Sequence, residues 1–357
     1  MERQRRGHHD SGVFSITGSR PVPNYRNFLK SIPNKIALLK FVCQYLTNSF
    51  MRIPEGKHIF IAGGSEDAEL CFMVNNVSVE EDNSSRCNHE EADTRIIFQM
   101  ISSIKRNSSV VIKTTDTDVL VLLLYYYWNN ELMNNSEIFM ETGHSNTVTD
   151  KRRFIPIHEI ARNVGKQMCD GLPAFHALTG CDTTSCFYKI GKKSAYEVYK
   201  KNVTKLSLST FSETNIGGSI SYLYKHENCE DLNEIRVKMT LTTKKSQEIP
   251  PSEDVFWQHV LRSFYQTRIW INSHTGHMEK HDPLQYGWQR KETLIEPCMM
   301  TYAPVPDNVR KIISLFCTEK TCSTQKCICR TEGVFCCDDC KCKARCNNIE
   351  KPDEEDN

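Results

Sequence analysis

A chain of 357 residues, 39% hydrophobic and 25% charged, has ordinary globular composition, and its length suggests two or three domains. The formal net charge of +1 excludes a global basic field, so any nucleic-acid contact must come from local patches. The opening residues, MERQRRGHHDSG, are charged and lack the apolar stretch of a signal peptide, and the longest apolar run, residues 119–128, is too short to span a bilayer. The expectation is a soluble intracellular protein with no membrane association.

Residues 1–31 are polar and basic. Residues 33–48 place Ile36, Leu39, Phe41, Val42 and Leu46 at helical spacing. The run HIFIA at 58–62, followed by Gly63 and Gly64, reads as a strand and turn; residues 70–74 read as a second strand and 78–88 as a polar loop. In NHEEADTRIIFQMISSI, Asn88 is predicted to cap a helix with Glu91 at capping-box spacing. Ala92, Ile96, Ile97, Met100, Ile101 and Ile104 form its apolar stripe. The β-branched run at 110–114 predicts a buried strand, and the apolar run after Asp116 and Asp118 predicts a buried segment. Helix, strand, helix, strand and helix in alternation predict an α/β layer with a largely parallel sheet. Such sheets bind ligands beyond the carboxyl ends of their strands, and Asp116 and Asp118 sit at one such end.

Residues 137–140 and 153–157 read as further strands, and 158–170 and 171–178 as helices. LTGCDTTSCFYKIGKKSAYEVYKKN then runs into a Lys-rich helix. Residues 203–251 are polar and close on Pro250 and Pro251. Ser252 is predicted to cap a helix over 253–271, with Val255, Phe256, Val260, Leu261, Phe264 and Ile269 on its apolar stripe. The expected organisation is a basic segment (1–31), an α/β core (32–202), a linker and helical extension (203–310), a cysteine-rich module (311–347) and an acidic tail (348–357).

Carboxylates beside a buried apolar run cost several kcal/mol if unpaired. Helix-start N–H groups, a basic partner or a metal ion would each satisfy Asp116 and Asp118. Further acids arrive from other segments: Glu91 with Asp93, beside Glu90, and Asp182 in TGCDTTS. Each alone is also explained as a helix cap or dipole partner. Taken together they need a cation, because neighbouring carboxylates raise one another's pKa. Mg²⁺ or Mn²⁺ suits them, since these hard ions prefer oxygen ligands and retain water.

The order Glu-x-Asp at a helix start, strand then Asp-x-Asp, then Gly-x-Asp and a Gly-Lys-Lys loop resembles the flap-endonuclease group of PIN-like nucleases. NHEEADTR, DTDVLVLLL and HALTGCDTTSCFYKIGKK are similar to a metazoan, often transposon-associated, subfamily with a C-terminal cysteine module. The resemblance covers roughly residues 2–200 and 253–346. It implies a PIN-like, largely parallel sheet with flanking helices and a helix-two-turn-helix-like element. It implies that Glu91 and Asp93 match the first acidic pair, Asp116 and Asp118 the second, and Asp182 the last acid, together holding two metal ions for phosphodiester hydrolysis. Gly191, Lys192 and Lys193 match the loop that grips a DNA strand, with Lys189 where the family commonly has glycine. The family's fold begins with an Asp-bearing strand, and a second Asp precedes an Arg-rich helix that MERQRRG resembles. The resemblance therefore implies an N-terminally truncated core with an incomplete catalytic site: a metal-dependent, structure-specific nuclease-like DNA-binding protein, or a non-catalytic module built on such a core. DNA as partner implies a nuclear location.

Seventeen cysteines divide unevenly. Cys43, Cys71, Cys87, Cys169, Cys181, Cys186, Cys229 and Cys298 are scattered and are expected to be buried small hydrophobes. Cys317, Cys322, Cys327, Cys329, Cys336, Cys337, Cys340, Cys342 and Cys346 crowd into a segment with almost no other apolar residues. Clustering without a secretory signal favours metal over disulfides, and thiolates favour zinc. The spacing C-x4-C-x4-C-x-C-x6-C-x3-C-x-C-x3-C, with one of Cys336 and Cys337 as spacer, resembles the tesmin-type CXC domain. That family holds a small zinc cluster through bridging cysteines and binds DNA; its usual first cysteine falls at Leu315 here. Lys320, Lys326, Arg330, Lys341, Lys343 and Arg345 make the module locally basic.

Overall fold

The computed structural model describes residues 14–19, 21, 24–49, 52–106, 109–143, 149–206, 221–226, 229, 232–242, 248–302, 322–331, 335–336, 340–343 and 345–349. MERQRRG, residues 350–357 of the acidic tail, Lys320, Cys317 and Cys337 lie outside the described residues. The chain forms two compact units, Met1–Met299 and Met300–Asn357. The segment expected to be a linker and helical extension falls largely within the first unit.

The first unit is mixed α/β. Strands β1 (Ile59–Ala62), β2 (Cys71–Val74) and β3 (Val79–Glu81) form an antiparallel meander. Strands β4 (Ser109–Lys113), β5 (Glu137–Thr142) and β6 (Arg153–Pro156) form a second sheet in that order. β4 runs parallel to β5, with Ser109 opposite Glu137, and β6 returns antiparallel, with Phe139 opposite Pro156. Strands β7 (Trp288–Lys291) and β8 (Leu294–Pro297) pair as a hairpin. The expected largely parallel sheet is therefore not what the described strands form: β4 with β5 is their single parallel pairing. Parallel neighbours need a crossover element, and here one lies between β4 and β5, whereas shorter connections fold the other strands back. β3 lies inside the segment read as a polar loop, because an edge strand of sequence VEE has no apolar alternation to reveal it.

The longer helices are α1 (Ile32–Asn48), α2 (Ala92–Ile104), α3 (Thr117–Asn129), α4 (Ile157–Val164), α5 (Lys166–Leu178), α6 (Lys192–Lys201), α7 (Leu232–Thr242) and α8 (Glu253–Ile271). The break between α4 and α5 falls at Gly165, whose φ of +87° ends α4, and not before Gly171, which continues inside α5. α3 is the centre of the core. Its Val119, Leu122, Leu123 and Tyr127 are fully buried among Ile97 and Ile101 of α2, Ile112 of β4, Ile138 and Met140 of β5, and Leu172 and Phe175 of α5. Burying each such side chain contributes about 1.5–3 kcal/mol.

Two helices depart from their expected faces. On α1, Ile36, Leu39 and Val42 are exposed while Asn34 and Cys43 are buried. A Cβ on Gly64 would lie 2.7 Å from the Leu39 carbonyl and 2.9 Å from the Cys43 Cβ, so the backbone of the turn after β1 packs directly on α1 at Leu39 and Cys43. On α8, Phe256, Val260 and Trp270 are buried, but so are Gln258, His259, Arg262, Ser263, Gln266 and Thr267.

His259 Nε2 donates to the Leu178 carbonyl at 2.8 Å, and burial lowers its pKa from 6.5 to about 4. Between these two values the unfolded chain binds a proton that the folded chain does not, so stability falls as pH drops from 6.5 towards 4. The loss is up to about 3 kcal/mol at 1.36 kcal/mol per pKa unit. All four tryptophans lie in the first unit, so their fluorescence can follow urea unfolding at pH 7.5 and 5. His259→Gln should flatten this pH dependence; an unchanged slope would remove His259 as its source.

Candidate functional site

Asp116 caps α3: its Oδ1 accepts the Asp118 N–H at 2.9 Å, and its own N–H donates to Thr114 Oγ1 at 3.1 Å. Asp118, in the first turn, meets His176 Nε2 of α5 through Oδ1 at 2.7 Å. The His176 side chain is only 6% exposed and that of Asp118 13%. Of the means considered for satisfying these two acids, the fold uses helix N–H groups for one and a basic partner for the other. Lys192, the first residue of α6, reaches the far side of the same ring. Its Nζ lies 3.1 Å from His176 Nδ1 and donates to the His176 carbonyl at 3.0 Å and to Thr179 Oγ1 at 3.2 Å. Burial of this ammonium lowers its pKa, against the opposing pull of Cys181 and Asp118.

The loop after α5 brings the third acid. Gly180 has φ +103°, and a Cβ there would stand 2.8 Å from that of Cys186. The loop folds back on itself: the Cys181 N–H donates to Thr184 Oγ1 at 3.1 Å, and Thr184 Oγ1 donates to the Ala177 carbonyl at 2.5 Å. Asp182 and Cys186 thereby reach the rim of a cleft of about 350 Å³ shared with Asp116, Asp118, His176 and Lys192. Cys186 is exposed, and Cys181 and Cys298 are half-buried, so these three are not the buried hydrophobes expected of them.

Of the first acidic pair, Glu91 stands beside this cleft. Glu91 is the residue before α2, but its side chain makes no capping bond, and the Asn88 side chain bonds the Met278 backbone instead. The predicted capping box is not formed. Both Glu91 carboxylate oxygens accept from Gln266 Nε2 of α8, at 3.2 and 3.1 Å. Gln266 Oε1 in turn accepts from Thr183 Oγ1 at 2.8 Å. Glu91 lines a neighbouring pocket of about 390 Å³ with Arg262, Tyr265 and Trp288. It is thus joined to the Asp182 loop through two hydrogen-bonded side chains. Asp93, in the first turn of α2, lines neither cavity.

Among the described residues, the sets of three or more His, Cys, Asp or Glu ligand atoms within 4.8 Å of one another consist of cysteines alone. Asp116, Asp118 and Asp182 therefore face one cleft without meeting at one point. In the loop matched to strand gripping, Gly191 precedes α6 and Lys193 is exposed. Lys189 takes φ +58°, the left-handed conformation that glycine adopts cheaply, and donates to Glu248 at 2.6 Å.

His176, Thr183 and Gln266 were not singled out from the sequence. His176 sits in an apolar stretch and reads as core. Gln266 belongs to a polar series, 259, 262, 263, 266 and 267, whose helical spacing was the available signal.

In the second unit, Cys322, Cys336, Cys342 and Cys346 form one such set, and Cys327, Cys329 and Cys336 another, sharing Cys336. Cys327 and Cys336 sulfurs are 3.8 Å apart, and those of Cys329 and Cys340 3.5 Å. A tetrahedral ZnS₄ site with Zn–S of about 2.3 Å has sulfur–sulfur edges of about 3.8 Å, so the cluster is compatible with zinc. Burial pushes the Cys322 and Cys336 thiols up, so a cation is what would hold them as thiolates.

Gly180→Ala should lower stability by about 1–3 kcal/mol, the cost of a non-glycine residue held in a sparsely populated conformation. Denaturant titration checks this; a neutral effect would mean the loop has an alternative path.

Comparison of the chain with protein-family models, with curated proteins and with solved structures finds no match.

Proposed function

We propose that the acidic cleft takes Mg²⁺ or Mn²⁺ and that the chain is a structure-specific, nuclease-like DNA-binding protein of the flap-endonuclease type. The observation that carries this reading is the arrival of Asp116, Asp118 and Asp182, from two distant segments, at one cleft beyond the carboxyl end of β4. The donor set fits: all are hard oxygens, and Asp116 Oδ2 and Asp118 Oδ2 have no hydrogen-bond partner among the described residues. A small hard cation needs only one or two protein carboxylates, with water and substrate phosphate supplying the rest. When bound, it would activate water and stabilise the leaving oxygen of a phosphodiester. The backbone at Gly191 and the exposed Lys193 would meet strand phosphates at the start of α6.

A second reading, DNA or protein binding without cleavage, draws on a different observation. The acidic ligand atoms do not converge, and one Asp118 oxygen is already held by His176. With a flap DNA substrate and Mn²⁺, slow cleavage that disappears in the Asp116→Ala, Asp118→Ala double variant supports the first reading. Binding with no cleavage above the double variant supports the second.

For the cysteine unit we propose zinc and DNA contact, with Lys326, Lys341, Lys343 and Arg345 supplying positive charge, and hence a nuclear location. Among the described residues its core consists of cysteines alone, so bound metal would supply the folding energy. The purified full chain should contain zinc, and chelation should abolish the unit's protection from proteolysis while the first unit stays resistant. A metal-free, protected unit with oxidised cysteines would overturn the assignment. No described helix is long and apolar enough to cross a membrane.

A further inference from the structure

We infer that His176 and Lys192 form a positioning couple for the acidic cleft, in which the Lys192 ammonium is committed to protein acceptors and does not grip a strand, although the residue as a whole is exposed. The inference rests on the cation-site reading of that cleft.

An ammonium has three donors and no acceptor. Lys192 has three acceptors within reach: His176 Nδ1 at 3.1 Å, the His176 carbonyl at 3.0 Å and Thr179 Oγ1 at 3.2 Å. Every donor is occupied, and none is left for a phosphate. Because the ammonium can only donate, Nδ1 must accept. The ring hydrogen then lies on Nε2 and points at Asp118 Oδ1, 2.7 Å away. One tautomer satisfies the whole chain of contacts, and the ring, only 6% exposed, is held in place by α5. Asp118 is thus fixed at one oxygen, with the other left for the cleft. Hydrogen-bond partners of this kind orient a ligating carboxylate, and their loss typically costs about 10–100-fold in metal affinity.

The test uses the full chain with Mn²⁺ as probe and two-bond proton–nitrogen correlation of the histidine rings, His176 being assigned by its absence in His176→Gln. At pH 7.5 the His176 ring should show the Nε2–H pattern; an Nδ1–H ring overturns the couple. In Lys192→Met the Nδ1 resonance should move towards that of an unbonded acceptor; an unmoved resonance overturns it. His176→Phe should weaken Mn²⁺ binding about tenfold or more, and His176→Gln, which keeps a donor, should recover to within about threefold of the parent. Equal affinities in His176→Phe and the parent overturn the couple. If the Phe variant does not fold, the comparison of parent, Gln variant and Lys192→Met stands in its place, with Lys192→Met expected to be the weakest. On DNA, Lys192→Met should leave the salt dependence of affinity unchanged; a slope reduced by about one phosphate contact returns Lys192 to the strand. If the parent and the Asp116→Ala, Asp118→Ala variant bind Mn²⁺ equally, the cation-site reading fails, and the ring spectra still decide whether Lys192 fixes His176.

Discussion

The helix α3 has almost no polar face, and this constraint arranges the rest of the first unit. Thr117–Asn129 reads TDVLVLLLYYYWN, and a helix apolar all round must be covered on every side. Helices α2, α4 and α5 and the β4–β5 pair cover it, leaving its N-terminal turn as its polar end. That end carries the positive pole of the helix dipole and unpaired N–H groups, so aspartates are the residues it stabilises. Asp116 and Asp118 are held at the edge of the core by the same burial that would exclude them from it.

The second organising element is the C-terminal turn of α5, whose last four carbonyls have no partner within the helix. Each finds one. The Phe175 carbonyl accepts from Thr179, through N–H at 3.0 Å and Oγ1 at 2.8 Å, and the His176 carbonyl from Lys192 at 3.0 Å. The Ala177 carbonyl accepts from Thr184 at 2.5 Å, and that of Leu178 from His259 at 2.8 Å. The donors come from α6, from the Asp182 loop and from α8. Terminating one helix thus brings together the elements that line the acidic cleft. It also accounts for the polar buried face of α8, where Ser263 bonds the Ala177 carbonyl as well and Gln266 bridges Glu91 to Thr183.

Much of this was legible where a residue pattern acts locally. The α2 stripe, the presence of β4 and the aspartates at its carboxyl end follow from periodicity and propensity, and Asp116 caps α3 as such a residue should; the expected burial of β4 does not hold, since Ile112 is buried but Val111 is 52% exposed. The three acids of the cleft were legible as candidates because charge beside an apolar run needs a reason. What was not legible depends on distance in three dimensions. A histidine in FHALTG looks like core until the helix is placed against Asp118. Lys192 in GKK looks like a surface cation until its three acceptors are seen. The capping box failed because Gln266, 175 residues away, holds Glu91, and Met278 holds Asn88. Strand direction is not legible from the alternation of elements, because alternation does not distinguish a crossover from a return, and the β5–β6 and β1–β2–β3 connections are returns.

The two candidate metal sites are opposite in physical character. In the acidic cleft each charge already has a protein partner: a helix N–H for Asp116, and His176 for Asp118, with Lys192 behind the ring. Lys192 meets the His176 ring at the nitrogen opposite the one that holds Asp118, so it offsets negative charge from the wall of the cleft. The carboxylates are therefore tolerable with no ion, and the surrounding core of α3, α2 and α5 does not depend on one. The cysteine unit has no such reserve. Its described buried side chains are sulfurs, and as protonated thiols they are weak hydrogen-bonding groups with little apolar bulk. On the proposed reading a cation in the first unit would bear on activity, whereas in the second it would bear on whether the unit folds, so stripping the metal would affect the two differently.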